Sequence, residues 1–317
     1  MPISVKINET LFMSYVGLVA SSYELTDKND ALIMNLVEDI RNTSFQDNII
    51  EYFIKARSTN TVNPYWPYGS DISAASFYIK DFEFNTFDDY VAFIKSCGFE
   101  GHEDWFWDWV KELPNVLRQI QASPAYSSLW EKHKDIIQNR INDYSRQVKV
   151  IENVINKFTV MPYNIEFSPN LLQLPGMADF VKQNGKTIVI TTYPTEIAIL
   201  HEFLHPFISV HRNVLVDFLQ KINLDKCINT EYMATYGYMW DNSEGAKVHA
   251  LEECLVRGIS IGISNMCEQE KAQHCKWSCD SGFLLVSEIL KAMKGIEINE
   301  DSLSIFIRQM LESECIK

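Results

Sequence analysis

The stretch TEIAILHEFLHPFISVH, Thr195 to His211, constrains this chain more than any other. His201 and His205 are four residues apart, so a helix sets both imidazoles on one face, about 6 Å apart and within reach of one metal ion. Glu202 is turned by about 100° from His201, where its carboxylate addresses a water on such an ion and not the ion itself. Ile197, Leu200, Leu204 and Phe207 make an apolar stripe that the histidines flank. Lone imidazoles at the rim of a buried face are costly. The expectation is a zinc site, because zinc lowers the pKa of a bound water and a neighbouring carboxylate takes its proton. An amphipathic helix that happens to carry histidines is the plainer alternative.

A zinc site with chemistry to do has three protein ligands and one open position. Two places compete for the third. His211 follows His201 by ten residues, the spacing of the metzincin motif, where a glycine lets the helix end and the chain turn back. Here Ile208 holds the glycine position, and in a continuing helix His211 lies about 9 Å further along the axis than His205. Pro206 argues the other way, since it can kink or end the helix. The second place is VHALEECLVRGISIG, Val248 to Gly262, helical by its stripe of Val248, Leu251, Leu255 and Ile259. Glu252 lies nearer that stripe. Glu253 shares a face with His249 and Arg257, which can donate to a ligating carboxylate. The residues alone leave the two glutamates open, with the unchosen one expected on a solvated face.

HEFLH followed by EECLVRG resembles the gluzincin clan of zinc peptidases, in which the third ligand is a glutamate on a second helix crossing the first. Matched onto the clan's short motif, that ligand is Glu253, followed by Cys254, Leu255 and Val256. HEFxH paired with Glu-x-Leu-Val-Arg more closely resembles an uncharacterised bacterial family of gluzincin-like sequence. Its members carry a long helical region that opens with an Asn-x-x-Leu helix, like NETLF here. Pro206 departs from the pattern, which has a helix-continuing residue there. The resemblance implies zinc held by His201, His205 and Glu253, with Glu202 as general base. It also implies a Tyr or His donor for the tetrahedral oxyanion. EYMATYGYMW offers Tyr232, Tyr236 and Tyr238, with Tyr236 first among them, and His249 is a further candidate.

Around the motif, apolar residues recur at helical spacing through Ile7–Tyr23, Asn29–Lys55, Asp88–Ser96 and Ser127–Phe158. TNTVNPYWPYGSD (Thr59–Asp71) reads as a loop. HEDWFWDWVKELP packs three tryptophans with no basic residue interleaved, which predicts a packing face and not a platform for bases. YNIEF (Tyr163–Phe167) reads as a strand. MADFVKQNGKTIVITTYP reads as a hairpin turning at Asn184-Gly185, and Thr195 as the N-cap of the motif helix. The expected fold is α+β and mainly helical. A helical region, 1–158, precedes a zincin-like catalytic domain, 159–317, with a small antiparallel sheet and two crossing active-site helices. The strand Thr187–Thr192 is expected to pair with an extended substrate along the cleft edge, with the helical half as the other wall.

The formal net charge of -14 argues against a nucleic-acid backbone or an anionic membrane as partner. No apolar run reaches the roughly 20 residues of a membrane span. Seven cysteines form no tight framework, which favours a reducing compartment. CEQEKAQHCKWSCD gathers three of them with His274, but its Cys-x-x-x-Cys puts two thiols one helical turn apart, more a helix than a structural zinc site. The apolar run Leu11–Ala20 is preceded by Lys6 and Glu9, which cancel, instead of a basic flank, and Asn8 before it reads as an N-cap, not a leader. A cytoplasmic protein is expected, with an exported form as alternative. These readings converge on a zinc-dependent hydrolase acting on a peptide or protein. A non-catalytic zinc protein that binds a partner is the rival, and a non-peptide amide or ester is the alternative substrate. The oligomeric state stays open.

Overall fold

The computed structural model of this protein describes residues 2–24, 30–55, 69–97, 104–174, 176–236 and 243–313, without the side chains of residues 235 and 236. The chain forms two compact units, Met1–Lys149 with Tyr163–Pro194, and Val150–Pro162 with Thr195–Lys317. The strands therefore group with the helical first half. This differs from the expected boundary at residues 158 and 159, which put them with the motif helix.

The first unit runs β1 (Ser4–Val5), α1 (Glu9–Ala20), α2 (Ala31–Arg41), α3 (Asp47–Ile54), α4 (Gly69–Tyr78), β2 (Ile79–Lys80), β3 (Glu83–Phe84), α5 (Phe87–Ser96), α6 (Asp104–Lys111) and α7 (Leu113–Ala122). The long α8 (Pro124–Phe158) follows, then β4 (Ile165–Pro169), β5 (Ala178–Gln183) and β6 (Lys186–Thr191). Asn8 caps α1 by accepting from Leu11 N at 2.8 Å, as its position before an apolar run predicts. The periodic stretch Asn29–Lys55 is two helices, because residues 42–46 leave the helix before α3 begins. The expected loop Thr59–Asp71 lies outside the described residues as far as 68, and α4 starts at Gly69. In α6, Trp109 stacks on Tyr52 at 5.2 Å and donates Nε1–H to its carbonyl, so this ring packs as expected.

Among the described residues β1, β4, β6 and β5 form one sheet in that order. The β5–β6 hairpin is antiparallel, and its turn residues Asn184 and Gly185 have φ of 51° and 72°, the positive values of a type I′ turn. The sheet is nonetheless mixed and not antiparallel, a correction to the expectation. β4 pairs β6 in parallel from Ile165↔Thr187 to Pro169↔Thr191, and β1 joins β4 in parallel. Hairpin signals are local, whereas parallel partners come from distant sequence. A second correction follows. β6 has β4 on one side and β5 on the other, so it offers no open edge to an extended substrate. The β5 edge is engaged as well: Tyr78 OH donates to the Lys182 carbonyl at 2.7 Å.

Between α1, α4 and β5 lies a polar cluster. Asp179 accepts from Ser70 Oγ at 2.6 Å and from Gln173 Nε2 at 2.7 Å, and Tyr15 OH meets Ser73 Oγ at 3.0 Å. Burial pushes the Asp179 carboxyl up to about 6 against the hydrogen bonds of Ser70, Gln173 and Ser73, and the charge of Asp71 adds to the rise. The folded carboxyl therefore holds its proton more tightly than the unfolded one. That stabilisation is complete at low pH and is lost as pH rises through the folded value. Asp179→Asn should gain up to about 3 kcal/mol over wild type at about pH 8 and little at about pH 4 in urea unfolding. A gain that does not grow with pH would mean the carboxylate is comfortable ionised. Gln173 Oε1, which lacks a hydrogen-bond partner, can accept from the new amide.

The second unit takes the last turns of α8 and then α9 (Glu196–Ser209), α10 (Arg212–Leu219), α11 (Leu224–Cys227), α12 (Thr230–Tyr236), α13 (Glu244–Ile263), α14 (Glu268–Asp280), α15 (Leu285–Ala292) and α16 (Glu300–Glu312). Cys275 and Cys279 sit one turn apart on α14, within a helix as expected. The centre is α13, packed against α9, α10, α14 and α15. Its expected stripe of Val248, Leu251, Leu255 and Ile259 is buried. Gly258 and Gly262 let α15 approach closely: a Cβ at Gly258 would sit 2.6 Å from Ile289 Cγ2, and one at Gly262 2.3 Å from Met293 Cε. A larger residue must push α15 away, so Gly258→Val should cost about 1–3 kcal/mol, read as a lower thermal midpoint. An unchanged midpoint would show that α15 yields freely. No helix among the described residues is long and apolar enough to cross a membrane.

Candidate metal centre

α9 begins where the sequence predicts, with Thr195 Oγ1 accepting from Ala198 N at 3.3 Å. Glu196 in the first turn suits the helix dipole. Ile199, Leu200, Phe203, Leu204 and Ile208 are buried, a face slightly rotated from the expected stripe. Burying each such side chain stabilises by about 1.5–3 kcal/mol, enough to hold a helix containing a proline. Pro206 has no N–H for the Glu202 carbonyl one turn back, yet α9 runs on to Ser209. The continued helix carries His211 beyond the histidine pair. His211 stands at the start of α10 with Nε2 at 3.3 Å from Ser304 Oγ.

The packing of α9 on α13 brings His201, His205 and Glu253 together. His201 Nε2 and His205 Nε2 are 3.2 Å apart. Glu253 Oε1 is 3.3 Å from His205 Nε2, and its Oε2 is 3.6 Å from His201 Nε2. Zinc bonds of about 2.0–2.1 Å at tetrahedral angles set ligand atoms about 3.3–3.4 Å apart. One nitrogen from each histidine and one Glu253 oxygen lie within 4.8 Å of one another, close enough to gather around such an ion. Among the described residues this is the one group of three or more histidine, cysteine or acidic side chains gathered closely enough to hold a metal.

Charge supports the same fit. Glu202, Glu252 and Glu253 all bring carboxylates into a largely buried region with two imidazoles. Anionic groups taken out of water need a compensating cation. Arg257 Nε donates to Glu253 Oε2 at 3.2 Å while its guanidinium lies 4.3 Å over the Phe283 ring. Burial raises the Glu253 carboxyl, but His201, His205 and Arg257 outweigh it and hold it well below the ordinary range. Burial lowers His201 to about 3. Burial also opposes charge on His205, yet Glu252 and Glu253 outweigh it and raise this imidazole to about 10.

Glu202 is 3% exposed, and its two oxygens lie 3.9 Å from His201 Nε2 and from His205 Nε2. It faces both nitrogens from the flank that the turn from His201 predicts. Glu252 is a correction. The glutamate not chosen as ligand was expected on a solvated face, but it is 3% exposed and accepts from Ser209 Oγ. Its place beside the Val248, Leu251 and Leu255 stripe was the signal for burial. Its contacts with Ser209 and Arg212 carried none, because they join segments some forty residues apart. His249 is half-buried one turn before Glu253 on α13. Tyr232 is half-buried on α12; the Tyr236 side chain and the whole of Tyr238 lie outside the described residues. In comparisons with known proteins, no family model, curated protein or solved structure matches this chain.

Proposed function

We propose that this protein is a zinc-dependent hydrolase, a peptidase of gluzincin type, acting on peptides or proteins. The carrying observation is the convergence of His201, His205 and Glu253, with the Glu202 carboxylate 3.9 Å from both imidazole nitrogens. Two imidazoles and one carboxylate are a donor set of catalytic zinc, and manganese or cobalt accept the same donors. When bound, the ion supplies Lewis-acid polarisation of a carbonyl and acidifies a water. Glu202 accepts the proton of the attacking water and hands it to the leaving amine. Its burial beside two imidazoles orients the carboxylate before substrate arrives. Arg257 steadies Glu253 through the 3.2 Å hydrogen bond. Tyr236, or else His249, donates to the developing oxyanion.

The rival is a non-catalytic zinc protein that binds a partner. A purely structural site has no use for Glu202, and this favours the enzyme. The test is incubation of zinc-loaded protein with a peptide library, read by mass spectrometry. Cleavage that stops on chelation and returns with zinc supports the proposal. Zinc bound without cleavage of any peptide transfers the reading to the rival.

A further inference from the structure

We propose that Glu252 is a positioning residue for His205, an inference that rests on the metal-centre reading above. The His205 imidazole lies between two consecutive glutamates of α13. Its Nε2 is 3.3 Å from Glu253 Oε1, and its Nδ1 is 3.8 Å from Glu252 Oε1. At 3.8 Å the second link is electrostatic and not yet a hydrogen bond. A neutral imidazole carries one proton, on one nitrogen or the other. The negative charge of Glu252 draws that proton to Nδ1, which leaves the Nε2 lone pair facing His201 and Glu253.

Glu252 is itself held. Ser209 Oγ donates to its Oε1, and Arg212 Nη1 stands 3.6 Å from its Oε2. Both partners follow Pro206: Ser209 ends α9 one turn after His205, and Arg212 opens α10. Pro206 removes one hydrogen bond from the helix at the ligand. Glu252 ties the weakened end to α13, the helix that carries Glu253. It thereby sets His205 relative to Glu253 as well as choosing its proton.

The test is zinc affinity, by competition with a chromophoric chelator, for wild type and Glu252→Gln. Glutamine keeps the size of the side chain and an oxygen for Ser209 but lacks the charge, so a merely structural role survives the exchange. The expected result is about 10–100-fold weaker zinc binding with an unchanged far-ultraviolet spectrum. Equal affinity in a folded Glu252→Gln protein would overturn the proposal. A second readout needs no variant: nitrogen NMR of zinc-loaded wild type labelled at histidine. His205 should be bound through Nε2 with a slowly exchanging Nδ1 proton. Binding through Nδ1, or an Nδ1 proton that exchanges as freely as that of His211, would overturn the proposal and leave the metal centre standing. Wild type that takes up no zinc would overturn both.

Discussion

Under the proposed mechanism, replacing Glu202 by glutamine should leave zinc bound and lower kcat by about 10²–10⁴-fold, the range that a positioned general base contributes. The residue is not among the three clustered donors. Its oxygens are 3.9 Å from both Nε2 atoms, beyond hydrogen-bond contact with either. Glutamine fills the same space, so the packing of α9 persists, but its amide takes no proton from water. The loss therefore falls on kcat with little change in KM, the pattern of an interaction made in the transition state. Elemental analysis of the same preparation guards against a trivial cause, since a variant that has lost its zinc says nothing about the base. Full activity in a zinc-loaded Glu202→Gln protein would sink this mechanism.

Zinc content separates the ligands from their neighbours with an effect as large. Wild type purified without chelator should hold about one zinc per chain, the number that a single three-ligand centre takes. His205→Ala and Glu253→Ala should lose it, and His211→Ala should keep it, because His211 meets Ser304 and not the cluster. Stability follows. An ion that binds the folded form alone stabilises it by about 4 kcal/mol at a thousandfold excess over Kd. Thermal unfolding should accordingly rise with zinc in wild type and His211→Ala and stay flat in the two ligand variants. Loss of zinc on His211→Ala with retention on Glu253→Ala would reverse the choice of third ligand. No zinc in wild type, even when it is offered, would reduce HEFLH to a chance motif and turn attention to binding partners.

Much of this was legible locally. Asn8 and Thr195 cap the helices that they were expected to cap, because an N-cap needs a side-chain oxygen and a few neighbouring amides. The Asn184-Gly185 turn was legible because two positive φ angles call for such residues. What failed was long-range. The parallel β4–β6 pairing turned an antiparallel sheet into a mixed one, and it placed β6 inside the sheet, away from any edge. The division into two units, with the strands beside the helical half, also depends on contacts between distant segments.

The candidate site divides along the same line. The sequence by itself determined that His201 and His205 share a face and that Glu202 flanks them, since a step of four residues slightly exceeds one helical turn and one residue covers little more than a quarter. The spacing left His211, Glu252 and Glu253 open and only the motif resemblance pointed to Glu253; the tertiary structure shows that it is Glu253 that stands with the two histidines. That choice depends on which face of α13 meets α9 across some fifty residues of chain, and on α9 running through Pro206 to Ser209. Burial of flanking apolar side chains drives both, and no local spacing encodes which distant helix will supply the partner.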